Sequence, residues 1–412
     1  MDKLLIIGAG IGQAPLIAKA KEKGAHVTAV TLPGDQPGIK MADEVLYEDI
    51  FSKDSIVGYA KEHGITAVAS DQNDLMMPTV SYVAEKLGLP GNSYDKMMSY
   101  CNKNRFRDNC DRIGIPVPRH TALSSEDFDV SGFDCPLPWI VKPADSQSSV
   151  GVRRIDDPKD APAAIKEALS HSRSGSAILE EYFFGREIVC EGFIEDGEYH
   201  LLAFADRKYF DIKGVLIPCQ TLFPSVVGRD LLERVLECER KMASYIQPSF
   251  AIVHSEYLVN EETGEIRAVE SALRGGGVYI SSDIIPLVTG VDLTGLMLDK
   301  ALGRKVNAKD IIANRQERAG GYICFSLPEG RITGINGLEE LRALPFVEKV
   351  FIDPGAVGEK TEKMIHKGLR KGPVIVSAKD RQELERNMKT VTETLDIRVE
   401  DGNGNSLGII WG

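Results

Sequence analysis

The stretch Ala251–Gly277, AIVHSEYLVNEETGEIRAVESALRGGG, decides how the chain is read. Ala251 to Val259 is strand-like, Asn260 to Glu265 carries turn residues, and Ile266 to Ala272 is strand-like again, which is the signature of a β-hairpin. A turn near Thr263 sets Glu256 and Glu270 opposite each other on one face, with Cβ atoms about 4.5–5.5 Å apart. Two carboxylates so close need a cation between them. The simplest is Mg²⁺, a hard ion that takes a few carboxylates together with phosphate oxygens. The hairpin therefore points to nucleotide chemistry, against the plainer reading of two solvated glutamates that repel a little.

Two upstream segments point the same way. In WIVKPADSQSSVGV, residues 139–152, an apolar strand ends in Lys142 and runs into a loop of Ser146, Ser148, Ser149 and Gly151. Small residues let backbone N–H groups approach phosphates, and the lysine adds a point charge. The order differs from the G-x-x-x-x-G-K-[ST] loop, because here the lysine precedes the small residues. In AILEEYFFGREIVCEGF, residues 177–193, strand-like stretches flank Gly185, and Glu180, Glu181 and Glu187 surround Tyr182 and Phe183. Such a hinge suits a purine held by backbone groups and a ribose held by a carboxylate. A plain edge hairpin gives the same pattern.

Taken in this order, the segments resemble the ATP-grasp superfamily of carboxylate–amine ligases, and the L-amino-acid ligases and biotin carboxylase-like group within it. CNKNRFRDNCDRIGIPVP, residues 101–118, extends the resemblance through Lys103, a helix and a G-x-P-x-P exit. The resemblance implies that Lys103 and Lys142 contact the ATP phosphates and that the loop with Ser146, Ser148 and Ser149 closes over them. It puts Glu180 and Glu181 at the adenine edge, backbone groups of Tyr182 and Phe183 on the base, and Glu187 on the ribose. Glu256 and Glu270 are the expected Mg²⁺ ligands, with Mn²⁺ as a substitute, and Arg274 steadies an anionic acyl phosphate. The family usually writes its last motif Glu-x-Asn-x-Arg, whereas this chain has Ala272 in the place of the Asn. His254 falls opposite Ala272 in the expected register, where a packed core histidine is favoured over a ligand.

The implied fold is α/β and α+β: an N-terminal Rossmann-like pre-ATP-grasp domain over 1–93, an ATP-grasp domain over 94–305 divided at 175/176, and a C-terminal α+β domain over 306–412. A chain of 412 residues is too long for one core. KLLIIGAGIG, residues 3–12, opens like a nucleotide-binding βαβ unit, but Gln13 follows where the dinucleotide fingerprint wants glycine and no acid ends the next strand. Asp71, Gln72 and Asn73 follow a later strand and are read first as loop caps. In the last hundred residues GGYICFSLPEG, FVEKVFIDPG and GPVIVSA read as strands, and Phe325, Ser326 and His366 as candidates for the site's border.

A net charge of −12 argues against a nucleic-acid partner. Seven cysteines without metal-site spacing suggest a reducing compartment, and neither a signal peptide nor a membrane span is apparent, so a cytoplasmic protein is expected. The implied reaction phosphorylates a carboxylate and joins it to an amine, with an amino acid or small peptide as the favoured substrate. Arg207 and Lys208 are placed to meet an acidic one. A bicarbonate-using carboxylase or carbamoyl-phosphate-type enzyme and a non-catalytic ATP-binding protein are the alternatives, and a homodimer is left open.

Overall fold

The computed structural model describes residues 1–147, 149–212 and 216–412. Strands β1 (Lys3–Ile7), β2 (His26–Thr31), β3 (Glu44–Tyr47) and β4 (Ala67–Ala69) form a parallel sheet in the order β3-β2-β1-β4. A central parallel strand is covered on both faces, and for that reason Leu4 to Ile7 are all apolar and buried. Strands β5 (His120–Leu123), β6 (Trp139–Pro143), β7 (Arg153–Ile155) and β8 (Ala177–Glu181) make a small antiparallel sheet ordered β5-β8-β6-β7.

The body of the molecule is a larger sheet. Its first part contains β9 (Arg186–Glu195), β10 (Glu198–Tyr209), β11 (Pro218–Phe223), β12 (Phe250–Asn260) and β13 (Glu265–Ala272). Further strands are β14 (Ala319–Phe325), β15 (Gly330–Asn336), β16 (Val347–Val350), β17 (Lys360–Thr361), β18 (Lys371–Ala378), β19 (Asp396–Glu400) and β20 (Ser406–Leu407). Eight of these run in the order β13-β12-β9-β10-β11-β14-β18-β16, while β17-β15-β19-β20 form a separate sheet. Strands β14, β18 and β16 lie beyond residue 305, so the expected second and third units share one sheet. The C-terminal quarter thereby contributes strands to the hairpin's own sheet.

The hairpin forms where the sequence places it. The Asn260 side chain accepts hydrogen bonds from the Glu262 and Thr263 N–H groups, each at 3.0 Å, and Gly264 takes the left-handed conformation at φ 71° that closes the turn. Glu256 pairs with Glu270 and His254 with Ala272, and a bulge after Glu256 shifts the remaining register by one residue.

The helix Arg229–Ile246 lays Val235, Leu236, Cys238, Met242 and Ala243 on the sheet, the 3–4-residue spacing of one buried face. Glu239 lies on that same face, and the Tyr257 hydroxyl donates to it at 2.6 Å. Burial pushes its carboxyl up to about 7. Among the described residues no single helix is long and apolar enough to cross a membrane.

Because the folded state holds the Glu239 proton more tightly than the unfolded chain does, its contribution to stability is complete below the ordinary carboxylate range and is lost as pH rises toward 7. Glu239→Gln, which keeps an acceptor for Tyr257, is therefore expected to gain stability over the wild type at pH 8, by at most about 3 kcal/mol, and little at pH 4. Urea melts at the two pH values measure this; an equal effect at both would contradict it.

Candidate active site

The sheets enclose one large cleft of about 1480 Å³, into which the hairpin, the β6 end, the β8–β9 connection and the C-terminal segment around Lys367 all project. Its chemistry is a set of paired charges.

Lys103 begins the helix Lys103–Ile113, whose cap is Asn102: its side chain accepts from the Arg105 N–H at 3.1 Å. The Lys103 ammonium donates to the Ser146 carbonyl at 2.8 Å and lies 3.8 Å from a Glu270 oxygen. One turn along, Arg107 is wholly buried and bonds both Glu180, at 2.7 Å, and the Val269 carbonyl. The second Glu180 oxygen lies 2.6 Å from the Lys142 ammonium. Burial pushes the Glu180 carboxyl up, but Arg107 and Lys142 more than offset this and hold it at about 2. Burial also moves Lys142 below its usual range, against the pull of Glu180.

In this triad Glu180 lines the cleft with its side chain saturated by two cations, and its release would leave them buried and unpaired. Glu181 is likewise engaged, with Arg119 at 2.9 Å and Arg267 at 3.4 Å. The Tyr182 N–H donates to the Pro138 carbonyl at 3.0 Å and is spent in extending the sheet. The Phe183 N–H has no such partner among the described residues. The loop after β6 lines the cleft: Ser149 donates to the Leu216 carbonyl and Ser146 to that of Val150, while the Gln147 side chain accepts from the Asp74 N–H at 3.2 Å. Ser148 lies outside the described residues.

Glu187 and Glu256 share Arg207, which bonds Glu187 at 2.7 Å and Glu256 more closely. Tyr209 donates to the other Glu187 oxygen. Burial and the neighbouring Glu256 raise the Glu187 carboxyl. Glu256 is pushed up by burial too, but Arg207 and His254 outweigh that and it falls well below the ordinary range. A Glu187 carboxylate standing open for a ribose is thus replaced by one already bonded twice, with lone pairs to spare. His254 is gripped through Nδ1 by the buried Glu191, and its Nε2 lies 3.4 Å from Glu256. That makes it a packed, hydrogen-bonded residue on the hairpin's first strand, at the cleft beside Glu256.

Arg274 makes a two-point contact with Asp74, at 3.1 and 2.7 Å. Asp71 fixes the following turn, accepting from the Gly275 N–H and the Ser281 hydroxyl, both at 2.8 Å. Arg107, Asp74 and Glu191 carry no local motif, and only the tertiary structure brings them in.

Of the acidic-substrate candidates, Arg207 lines the cleft but is committed to two glutamates, and Lys208 is exposed outside it. The border residues are corrected: Phe325 and Ser326 are buried away from the cleft. On the same strand Tyr322 and Cys324 face it instead, and from the C-terminal segment Lys367 and Arg370 do so in place of His366.

Among the described residues no cluster of three or more His, Cys, Asp or Glu side chains could hold a metal alone. Glu256 and Glu270 supply two hard oxygen donors on one face. This fits an ion that completes its shell with phosphate oxygens and water.

A model of the ATP-grasp domain matches residues 135–282, and a model of L-amino acid ligase C-terminal domain 2 matches 323–400. Alanine–anticapsin ligase of Bacillus subtilis (strain 168) is 24% identical over 271 residues, covering 60% of this chain and 56% of that protein. D-alanine–D-alanine ligase B of Chromobacterium violaceum is 28% identical over 214 residues, covering 51% of this chain and 69% of that protein. The chain spans about half the length of the first of these relatives. Among solved structures, L-amino acid ligase from Bacillus licheniformis superposes with a TM-score of 0.81 at 21% identity, covering 96% of this chain and 98% of the other. Phosphoribosylglycinamide synthetase from Anaerococcus prevotii gives 0.74 at 18% identity, with 96% and 99% covered. These structures share the fold. The chain carries an ATP-grasp domain followed by an L-amino acid ligase C-terminal domain.

Removing Arg107 leaves Glu180 buried with one cation instead of two. Arg107→Met is expected to lower unfolding stability by about 3–5 kcal/mol in urea titrations, the cost of a broken buried pair. A loss under about 1 kcal/mol would show that the triad contributes little.

Proposed function

We propose that this ATP-grasp chain is an ADP-forming carboxylate–amine ligase, acting on an amino acid or small peptide. The observation that carries the reading is the pairing of Glu256 with Glu270 inside a cleft that also holds Lys103, Lys142 and Arg274. In the first step a carboxylate oxygen attacks the γ-phosphorus of ATP and ADP leaves. In the second the amine nitrogen attacks the acyl carbon, phosphate leaves, and the nitrogen gives up a proton.

Phosphoryl transfer is mostly positioning and charge neutralisation, so no protein nucleophile is needed. Lys103, at the start of its helix, and Lys142, fixed by Glu180, supply positive charge to the phosphates. Ser146, Ser148 and Ser149 belong to the loop over them. The Glu181 carbonyl and the Phe183 N–H are the backbone groups for the adenine, and the spare lone pairs of Glu187 serve the ribose. Glu256 and Glu270 would hold Mg²⁺, or Mn²⁺ with the same preference for oxygen, which when bound would supply charge neutralisation to the transferring phosphoryl group. Arg274 is pre-aimed by Asp74 and meets the charge that develops on the acyl phosphate. The domain limits at 93/94 and 305/306, a cytoplasmic location and a homodimer complete the proposal.

The test is ADP release with ATP and Mg²⁺ over a panel of amino acids, amines and bicarbonate, with mass spectrometry of the products. A product with the summed mass of acid and amine less water is expected. Glu270→Ala is expected to lower the rate by at least about 10³-fold with the circular dichroism spectrum unchanged, since it removes charge stabilisation of the transition state. Bicarbonate-only ADP release, or wild-type turnover by Glu270→Ala, would overturn the reading.

A further inference from the structure

Most cations of the cleft are committed. Lys142 is held by Glu180, Arg207 by Glu187 and Glu256, Arg274 by Asp74, and Lys103 by the Ser146 carbonyl beside Glu270. Three others have no carboxylate partner among the described residues: the exposed Arg173, which sits over the Phe51 ring, and the half-buried Lys367 and Arg370. Lys367, half-buried on the short helical turn Lys367–Leu369, faces the cleft, and the charges acting on it are those of Glu256, Glu270, Arg207 and Arg370. No side chain among the described residues hydrogen-bonds to it. Arg370 donates to the Pro218 carbonyl at 2.7 Å and sits over the Tyr322 ring, which leaves most of its N–H groups uncommitted.

Both belong to the C-terminal unit, and their setting is specific. Arg370 thus rests against Pro218 and Tyr322, and Tyr209, Phe210, Asp211, Leu216 and Cys324 line the same cleft. In a chain of net charge −12, a cation half-withdrawn from water without a carboxylate of its own attracts an anion strongly. The metal-site glutamates do not fill that role, because each already has a closer cation in Arg207 or Lys103.

We infer that Lys367 and Arg370 form an anion subsite for the acid substrate, so that the acid activated here carries a second anionic group, a dicarboxylic amino acid being the simplest case. The inference deepens the ligase reading and rests on it for the identity of the bound molecule as the acid. The reacting carboxylate would lie beside Glu256 and Glu270, and the second anionic group would reach the C-terminal unit. Selection of the acid then belongs to the C-terminal domain, while the ATP-grasp domain carries the phosphoryl transfer.

Isothermal titration separates this inference from the ligase reading, since it needs no turnover. The full chain, with Mg²⁺ and a non-hydrolysable ATP analogue, is titrated with L-glutamate, L-aspartate, O-phosphoserine and L-alanine. The expected result is that at least one of the diacidic ligands binds about ten-fold or more tightly than alanine, and that Lys367→Met and Arg370→Met each remove that preference while the analogue's own affinity is kept. O-phosphoserine as the tightest ligand would identify the second group as a phosphate rather than a carboxylate, within the same subsite. Equal binding of alanine and the diacids, no binding of any of the four, or a Lys367→Met variant whose loss falls on the ATP analogue would overturn it. Lys367→Arg, which keeps the charge, is expected to retain part of the preference, whereas a purely structural role would not be rescued in this way.

Discussion

Two carboxylates forced onto one face of an antiparallel pair constrain everything around them. Glu256 and Glu270 cannot stand opposed in a partly buried cleft without positive charge. In the structure that charge comes from Arg207 on one side and Lys103 on the other. The two cations arrive from different elements, a strand two places along the same sheet and the first turn of a helix. Closing the hairpin therefore brings three parts of the chain to one place.

The same logic extends outward as a chain of pairs. Arg207 is shared between Glu187 and Glu256, so the ribose candidate and the metal candidate titrate together. Arg107 and Lys142 hold Glu180, and Asp74 holds Arg274 across 200 residues of sequence. Each functional side chain is positioned by a partner of opposite charge, which pre-organises the site. The cost is that the partners must release or share their contacts when a nucleotide and a metal enter.

Local features of the site were legible, and long-range ones were not. The pairing of Glu256 with Glu270 could be read because alternation fixes which side chains share a face, whereas the bulge after Glu256 could not. Lys142 and the small-residue loop were legible because they are contiguous. Arg107, Asp74 and Glu191 were not, since a lone charged residue in a helix, a loop or a strand reads as solvated until its distant partner is known. The donation of the Tyr182 N–H to Pro138 is likewise a sheet contact that no local pattern announces. Arg207 was assigned to substrate because the two glutamates that bind it lie 20 and 49 residues away. The continuation of the central sheet past residue 305 was hidden for the same reason.

The central claim is that Glu256 and Glu270 form one divalent-cation site beside the nucleotide phosphates. Crystals grown with Mn²⁺ and a non-hydrolysable ATP analogue test it directly, because manganese gives an anomalous signal. The account predicts a peak bridging an oxygen of Glu256 and one of Glu270, in contact with the analogue's phosphates. A peak at some other carboxylate pair, or an ordered nucleotide with no peak between these two, would contradict it.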